Sequence, residues 1–295
     1  MKRARDSVSS LVAQMVHTVP VLQRPYAVAA FACSRVPGVH TVFREATRQL
    51  SRQMRDSGQN IRPVRIGDVA MLFDVTDFTV QGAYFSRIRY EPGATASIMG
   101  LAPGHVFVDI GANSGYFTIL AGARVGAGGR VFAFEPNPVV CRRLQRHVDV
   151  NRMNDRIRVV DEAISDRDAD DLSLFISCRV DNSGLSSLAP SSAALASGDL
   201  NLDVKVRVRG SRFDSWMRTA QVSRIDLLKI DIEGAELAAL NGMRRTLDRF
   251  RPRAIICETP ERGPVVEFLR TLGYRVSVLD KIPGGVPNLL FEVAS

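Results

Sequence analysis

Cysteine is scarce in this 295-residue chain, and the four present, Cys33, Cys141, Cys178 and Cys257, stand far apart. No Cys-x-x-Cys pair and no Cys/His cluster occurs, which argues against a zinc site and a disulfide framework and fits a reducing compartment. Long apolar runs are missing as well. No segment reaches the roughly 18 uninterrupted apolar residues of a membrane-spanning helix. The stretch from Leu11 to Leu22 is broken by Gln14, His17 and Pro20 and has no small-residue cleavage site behind it, so a secretory leader is not expected. Histidine is rare too: His17, His40, His105 and His147 all fall outside the motifs below and read as surface or packing residues. A G-x-G-x-x-G dinucleotide fingerprint is also absent.

Positive charge is in excess, with a net +8 supplied mostly by arginine. Much of it falls early, at Lys2, Arg3, Arg5, Arg24, Arg35, Arg44, Arg48, Arg52, Arg55 and Arg62. Such an end suits nucleic acid, an anionic membrane surface or an acidic substrate, and it equally suits a solvated helical face. Val8, Leu11, Val12, Met15, Val16 and Val19 recur at helical spacing behind the basic start. Packing onto the protein body is the expectation here, with peripheral membrane-surface contact through the basic N-terminus as the alternative. A cytoplasmic protein, membrane-associated under that alternative, is expected.

The chain divides into three parts on pattern. Residues 1–61 read as a helical extension interrupted at Pro20, Pro25 and Pro37, and residues 62–100 as a β-hairpin around Gly67-Asp68 with a connecting helix near Ala94 to Met99. From 101 to 295 strands and helices alternate. Strands are predicted at VFVDIG, RVFAFE, Ile157–Ser165, Leu172–Ser177, Val204–Arg209, IDLLKIDIE, RAIICE, YRVSVLD and NLLFEVA. Helices are predicted at Tyr116–Val125, Pro138–Asn151, Ala235–Leu247 and Val265–Leu272. Such alternation predicts an α/β, Rossmann-like fold: a mostly parallel sheet with helices on both faces, binding its ligand at the carboxyl ends of the strands.

At the first of those ends the sequence runs D-I-G-A-N-S-G, placing Asp109 before Gly111, Asn113 and Gly115. The glycine spacing is wrong for a pyrophosphate, and the aspartate would repel one. A ligand with a positive charge and hydroxyls fits better: Asp109 receives an ammonium group, and Glu135, ending the second strand, accepts the hydroxyls of a ribose. Asp161, Glu162 and Ala163, ending the third, form an edge for an adenine amino group. Acids at successive strand tips in this arrangement describe S-adenosyl-L-methionine.

The motifs VFVDIGANSGYFT, VFAFEPNP, NSGLSSL and IDLLKIDIEGAEL resemble those of the FkbM family of S-adenosylmethionine-dependent methyltransferases. The likeness is strong over Val106 to Glu258 and looser at FDVTDF and YEPG; the region before Arg62 carries no motif. The resemblance implies a class I methyltransferase fold with a seven-stranded sheet, and methyl transfer to an oxygen of a sugar, glycolipid or polyketide-type product. It also implies cofactor roles for Asp109, Gly111, Asn113, Gly115 and Glu135.

KIDIEGAE places Lys229, Asp231 and Glu233 on one side of a strand at its carboxyl end, because side chains alternate along a strand. Glu258, ending the next strand, points to the same rim. Mixed charges buried together must pair or serve a ligand. Glu233 or Asp231 is the candidate base for the acceptor hydroxyl, with Lys229 as a positioning group; Asp231 is also a candidate anchor for the methionine ammonium. These acids suit Mg²⁺ as well, but carboxylates alone do not establish a metal, and none is assigned. Asn182, Ser183 and Ser186, in the NSGLSSL loop, are candidate acceptor-binding residues. A nucleic-acid methyltransferase is one alternative, although the Asn/Asp-Pro-Pro-aromatic string of base amino-methylation is replaced here by Asp-Ile-Glu-Gly, and no nucleic-acid partner is expected. A non-catalytic cofactor-binding module is the other.

Overall fold

Strands of a parallel sheet are covered on both faces, and two segments show this directly, even at the charged residues Asp109 and Lys229. β3 (Val106–Ile110) and β9 (Leu227–Ile230) are buried at every position. They form the middle of a seven-stranded sheet. The computed structural model describes residues 10–16, 26, 39–58, 61–75, 90–177, 186–189, 200–220, 222–281 and 285–293.

The other strands of this sheet are β4 (Arg130–Phe134), β5 (Ile157–Val160), β10 (Ala254–Glu258), β11 (Tyr274–Asp280) and β12 (Asn288–Val293). Their order is β11-β12-β10-β9-β3-β4-β5. β10, β9, β3, β4 and β5 run parallel, and β12 is antiparallel to both β10 and β11. The chain leaves β3 in one direction, to β4 and β5, and later returns to β9 on the other side. The order therefore reverses between β3 and β9, and a crevice opens at their carboxyl ends.

One face of the sheet presents Val108, Ile110, Phe132, Phe134, Leu228, Ile230, Ile255 and Phe291 to a common apolar core. Four helices bring residues to that core: α5 (Phe213–Ala220), α6 (Glu236–Gly242), α7 (Arg244–Phe250) and α8 (Pro264–Thr271). Phe132, Phe134, Phe213 and Trp216 pack ring on ring, with centroids 4.9–5.6 Å apart. Each ring buried this way stabilises the fold by about 1.5–3 kcal/mol relative to exposure. The alternate residues, among them Phe107, Ala133 and Ile256, are equally buried. α3 (Tyr116–Val125) packs on β3 and β4, and α4 (Pro138–Val150) on β5.

A second, three-stranded sheet has the order β6-β8-β7, formed by Glu162–Ile164, Leu200–Ser211 and Ala169–Ser177. Here the sequence expectation is corrected. Ile157–Ser165 is two strands: β5 ends at Val160, and β6 leaves to pair with β8 in the register Glu162↔Arg209. The apolar pattern continues across Asp161, so it carries no sign of the change of sheet. The expected helix Ala235–Leu247 likewise divides at Met243, because Gly242 presses against the Ser165 carbonyl and leaves no room for a side chain.

The chain separates into two compact units. One comprises residues 1–66, 70–90 and 180–182, and the other residues 67–69, 91–179 and 183–295. In the first, α1 (Val39–Asp56) buries Ala46, Leu50 and Met54, four residues apart along one stripe, against Ala13, Val16, Tyr26 and Val75. The hairpin of β1 (Ile61–Ile66) and β2 (Val69–Asp74) turns at Gly67, whose φ of 59° falls in the left-handed region. In the second, α2 (Pro92–Met99) begins on the Asp280 carboxylate. Among the described residues no helix is long and apolar enough to cross a membrane.

Candidate active site

The crevice between β3 and β9 is lined by the loops that follow those strands. Asp109 lies within β3, 1% exposed, where it accepts a 2.6 Å hydrogen bond from the Thr118 hydroxyl of α3. Burial pushes its carboxyl above the usual range, against the pull of Lys229. The chain then turns at Gly111, whose φ is 83° and whose missing side chain would fall on the Asp231 carbonyl. Only glycine fits where these two loops meet. The Gly111 and Ala112 N–H groups both donate to the Phe134 carbonyl. Gly115, with a φ of 93°, makes room for Leu144 of α4. Packing of the chain against itself is thus the immediate reason for both glycines.

Glu135 ties the first two loops together. One carboxylate oxygen accepts from the Asn113 N–H at 2.9 Å and the other from the Asn137 N–H at 2.8 Å. Burial nevertheless pushes its carboxyl up to about 7, helped by Asp109 and Asp231 and opposed by those two N–H groups. Asn137 in turn caps α4, accepting from the Val139 N–H.

The next loop gathers charge. Lys229 is 2% exposed, bonds Asp231 at 2.7 Å and stands 4.8 Å from the Phe117 ring centre. Burial draws its ammonium down, but Asp231, Glu91 and Asp109 outweigh burial and leave it raised and charged. β9 ends at Ile230, so Asp231 and Glu233 lie in the following loop, and strand alternation does not set their direction as the sequence reading assumed. The backbone sets it instead: Glu233 adopts a φ of 54°, and Gly234 follows at 102°. In that corner Asp231, Glu233 and Glu258 bring carboxylate oxygens within 4.8 Å of one another. Burial, then the neighbouring acids, push Glu233 up to about 8 and Glu258 up to about 10. Glu236 is turned away from this group: one of its oxygens accepts from the Gly234 and Ile232 N–H groups.

Five carboxylates and one ammonium therefore gather at these strand tips, and burial pushes Asp109, Glu135, Glu233 and Glu258 above the ordinary carboxylate range. A ligand carrying positive charge would favour their ionised forms and bind. That donor set fits S-adenosylmethionine, which brings a sulfonium and an ammonium group. It also has the spacing for a divalent cation at Asp231, Glu233 and Glu258.

The remaining sequence-derived residues are scattered. Asp161 is exposed just past β5, and Ala163 is buried in the small sheet. Glu162 accepts hydrogen bonds from Arg209 and from the Ser211 hydroxyl, which tie its carboxylate to the small sheet. Asn182 and Ser183 lie outside the described residues; Ser186 is half-buried. Two residues escaped the sequence reading. Thr118 lies in the first turn of α3, the helix that follows the Asp109 loop, and Ser187, described below, had no signal beyond standing in the polar loop.

The model of the methyltransferase FkbM domain matches residues 109–276. The chain is 28% identical to the 2-O-methyltransferase NoeI of Sinorhizobium fredii over 166 residues, which is 50% of this chain and 61% of that protein. It is 28% identical to the AMB antimetabolite synthetase AmbE of Pseudomonas aeruginosa over 237 residues, 69% of this chain and 11% of that one. The chain thus spans less than two thirds of each of these relatives. Among solved structures, a methyltransferase FkbM from Methylobacillus flagellatus superposes with a TM-score of 0.43 at 17% identity, covering 90% of this chain and 58% of that one.

Proposed function

Because the chain belongs to the FkbM methyltransferase family, whose cofactor is S-adenosylmethionine, we propose that it methylates a hydroxyl group of a sugar, glycolipid or polyketide-type acceptor. The observation that carries this reading is the acid group Asp231, Glu233 and Glu258 beside Lys229, at the strand tips next to the glycine turn. Oxygen as the accepting atom draws further support from the relative named as a 2-O-methyltransferase.

The cofactor supplies a methyl group activated on sulfur. Glu135 would hold the ribose hydroxyls, and Asp109 and Asp231 would face the methionine ammonium. Lys229 donates to Asp231 at 2.7 Å and holds its carboxylate in place. Glu233 is the base. At a value of about 8 it is largely protonated near neutral pH while the site lacks a cation. Positive charge arriving nearby favours its ionised form, so the base is released once the cofactor is in place. The Glu233 carboxylate would accept the acceptor's hydroxyl proton, and the cofactor, when bound, would supply the methyl group and leave as its neutral thioether. Glu258, pushed up to about 10 by burial and then by the acids around it, steadies Asp231.

Incubating the protein with radiolabelled S-adenosylmethionine and panels of glycans and polyketide alcohols tests the reading. Label recovered as a methyl ether supports it. Label on a base of RNA or DNA, or cofactor binding with no transfer to any hydroxyl, would overturn it.

A further inference from the structure

Glu233 sits at a corner that its own sequence does not favour. Glutamate rarely takes the left-handed conformation, and it does so only where surrounding structure compels it. Two contacts supply that compulsion. On one side, the Glu236 carboxylate accepts from the Gly234 N–H at 2.9 Å. On the other, the Ser187 hydroxyl donates to the Glu233 carbonyl at 2.6 Å. Ser187 is itself held firmly. It is 1% exposed, its N–H and carbonyl both pair with Phe175 of β7 at 2.9 Å, and its hydroxyl accepts from the Ala189 N–H. The Ala189 carbonyl lies 3.0 Å from where a side chain on Gly234 would begin, so the two loops are in close contact along this line.

We infer that Ser187 is a positioning residue for Glu233: its hydroxyl fixes the left-handed corner and so keeps the Glu233 carboxylate beside Asp231 and Glu258. The inference rests on the reading of Glu233 as the base. A hydroxyl bonded only to a main-chain carbonyl would ordinarily be counted as a loop tether. Here the carbonyl belongs to the residue whose side chain does the chemistry, and rotation about that residue would swing the carboxylate out of the acid group.

The test needs no acceptor. In full-length protein labelled with carboxyl-¹³C glutamate, the Glu233 signal is identified by its loss in Glu233→Gln and titrated by NMR. Burial of the carboxyl sets its midpoint first, then Asp231, Glu236, Lys229 and Glu91, together with Glu258, and Ser187 carries no charge. A change caused by Ser187→Ala therefore reports displacement of the carboxylate. The wild-type midpoint is expected at about 8. In Ser187→Ala it should fall by about one unit or more toward the ordinary glutamate value. Ser187→Thr should restore it, and cofactor affinity should stay within about twofold in both variants. An unchanged midpoint in Ser187→Ala overturns the inference, as does a fall in Ser187→Thr as large as in the alanine variant. An ordinary midpoint in the wild type would remove Glu233 as the base, and with it the premise.

Discussion

At Glu233 and Asp231 a base and an anchor can be told apart, because they fail at different stages of the reaction. Glu233→Gln keeps the shape but removes the proton acceptor, so kcat should fall by about 10²–10⁴-fold with cofactor affinity nearly unchanged. Asp231→Asn should instead raise the cofactor dissociation constant, since the anchor acts in the ground state as well. Titration calorimetry alongside single-turnover rates separates the two, and wild-type turnover in Glu233→Gln across pH would remove it from the chemistry. Glu135 has a double duty, holding the Asn113 and Asn137 N–H groups while facing the ribose. Glu135→Ala should weaken cofactor binding by roughly ten- to a hundredfold, the cost of about 1.5–3 kcal/mol for a charge-assisted contact. Asp109, Glu135, Lys229, Asp231, Glu233 and Glu258 were all readable from the sequence, because each ends or follows a run of apolar strand residues. Ser187 was not. A serine that bonds a distant carbonyl looks like any other loop serine until the fold brings the two together.

Elements were readable where one periodicity ran unbroken, as in α3 and the buried strands β3 and β10. They were misread where tertiary contacts decide a boundary. Nothing local ends β5 at Val160; the pairing of Glu162 with Arg209 in another sheet does. The start of α2 shows the same dependence. Its first N–H groups, on Gly93 and Ala94, are capped by Asp280 at 2.7 and 2.8 Å, from a strand near the other end of the chain. Glu91, the preceding residue, is in a left-handed conformation and makes no side-chain cap. Replacing Asp280 with Ala leaves both donors unmatched, and a lost cap costs about 0.5–2 kcal/mol. A melting temperature lower by roughly 1–8 °C is expected, at about 2–4 °C for each kcal/mol in a large domain. Cofactor affinity should hardly move, because Asp280 belongs to none of the site loops. An unaltered melting temperature would mean that water replaces the cap at no cost.

For the whole molecule, the acids of the crevice tie stability to pH in an unusual direction. Carboxylates usually have depressed values in the folded state, and stability is then lost toward acid. Here the shifts are upward, from 4.5 to about 7 at Glu135, about 8 at Glu233 and about 10 at Glu258. Between about 4.5 and each folded value the native chain holds protons that the unfolded chain has released, so stability falls as pH rises through that window. The cofactor-free protein should therefore melt at progressively lower temperature from about pH 5 to pH 9. Cofactor binding reverses the balance, since its positive charges favour the ionised acids and expel their protons. At about a hundredfold excess over its dissociation constant the cofactor should stabilise the fold by about 2.7 kcal/mol, and binding itself should tighten with pH over the same range. Calorimetry in buffers of differing ionisation enthalpy should show net proton release on binding near neutral pH. A flat melting profile without cofactor, or proton uptake on binding, would mean that the acids are already ionised in the free protein. Glu233 would then be an exposed carboxylate waiting for no signal, and the release of the base by the cofactor would fall with it.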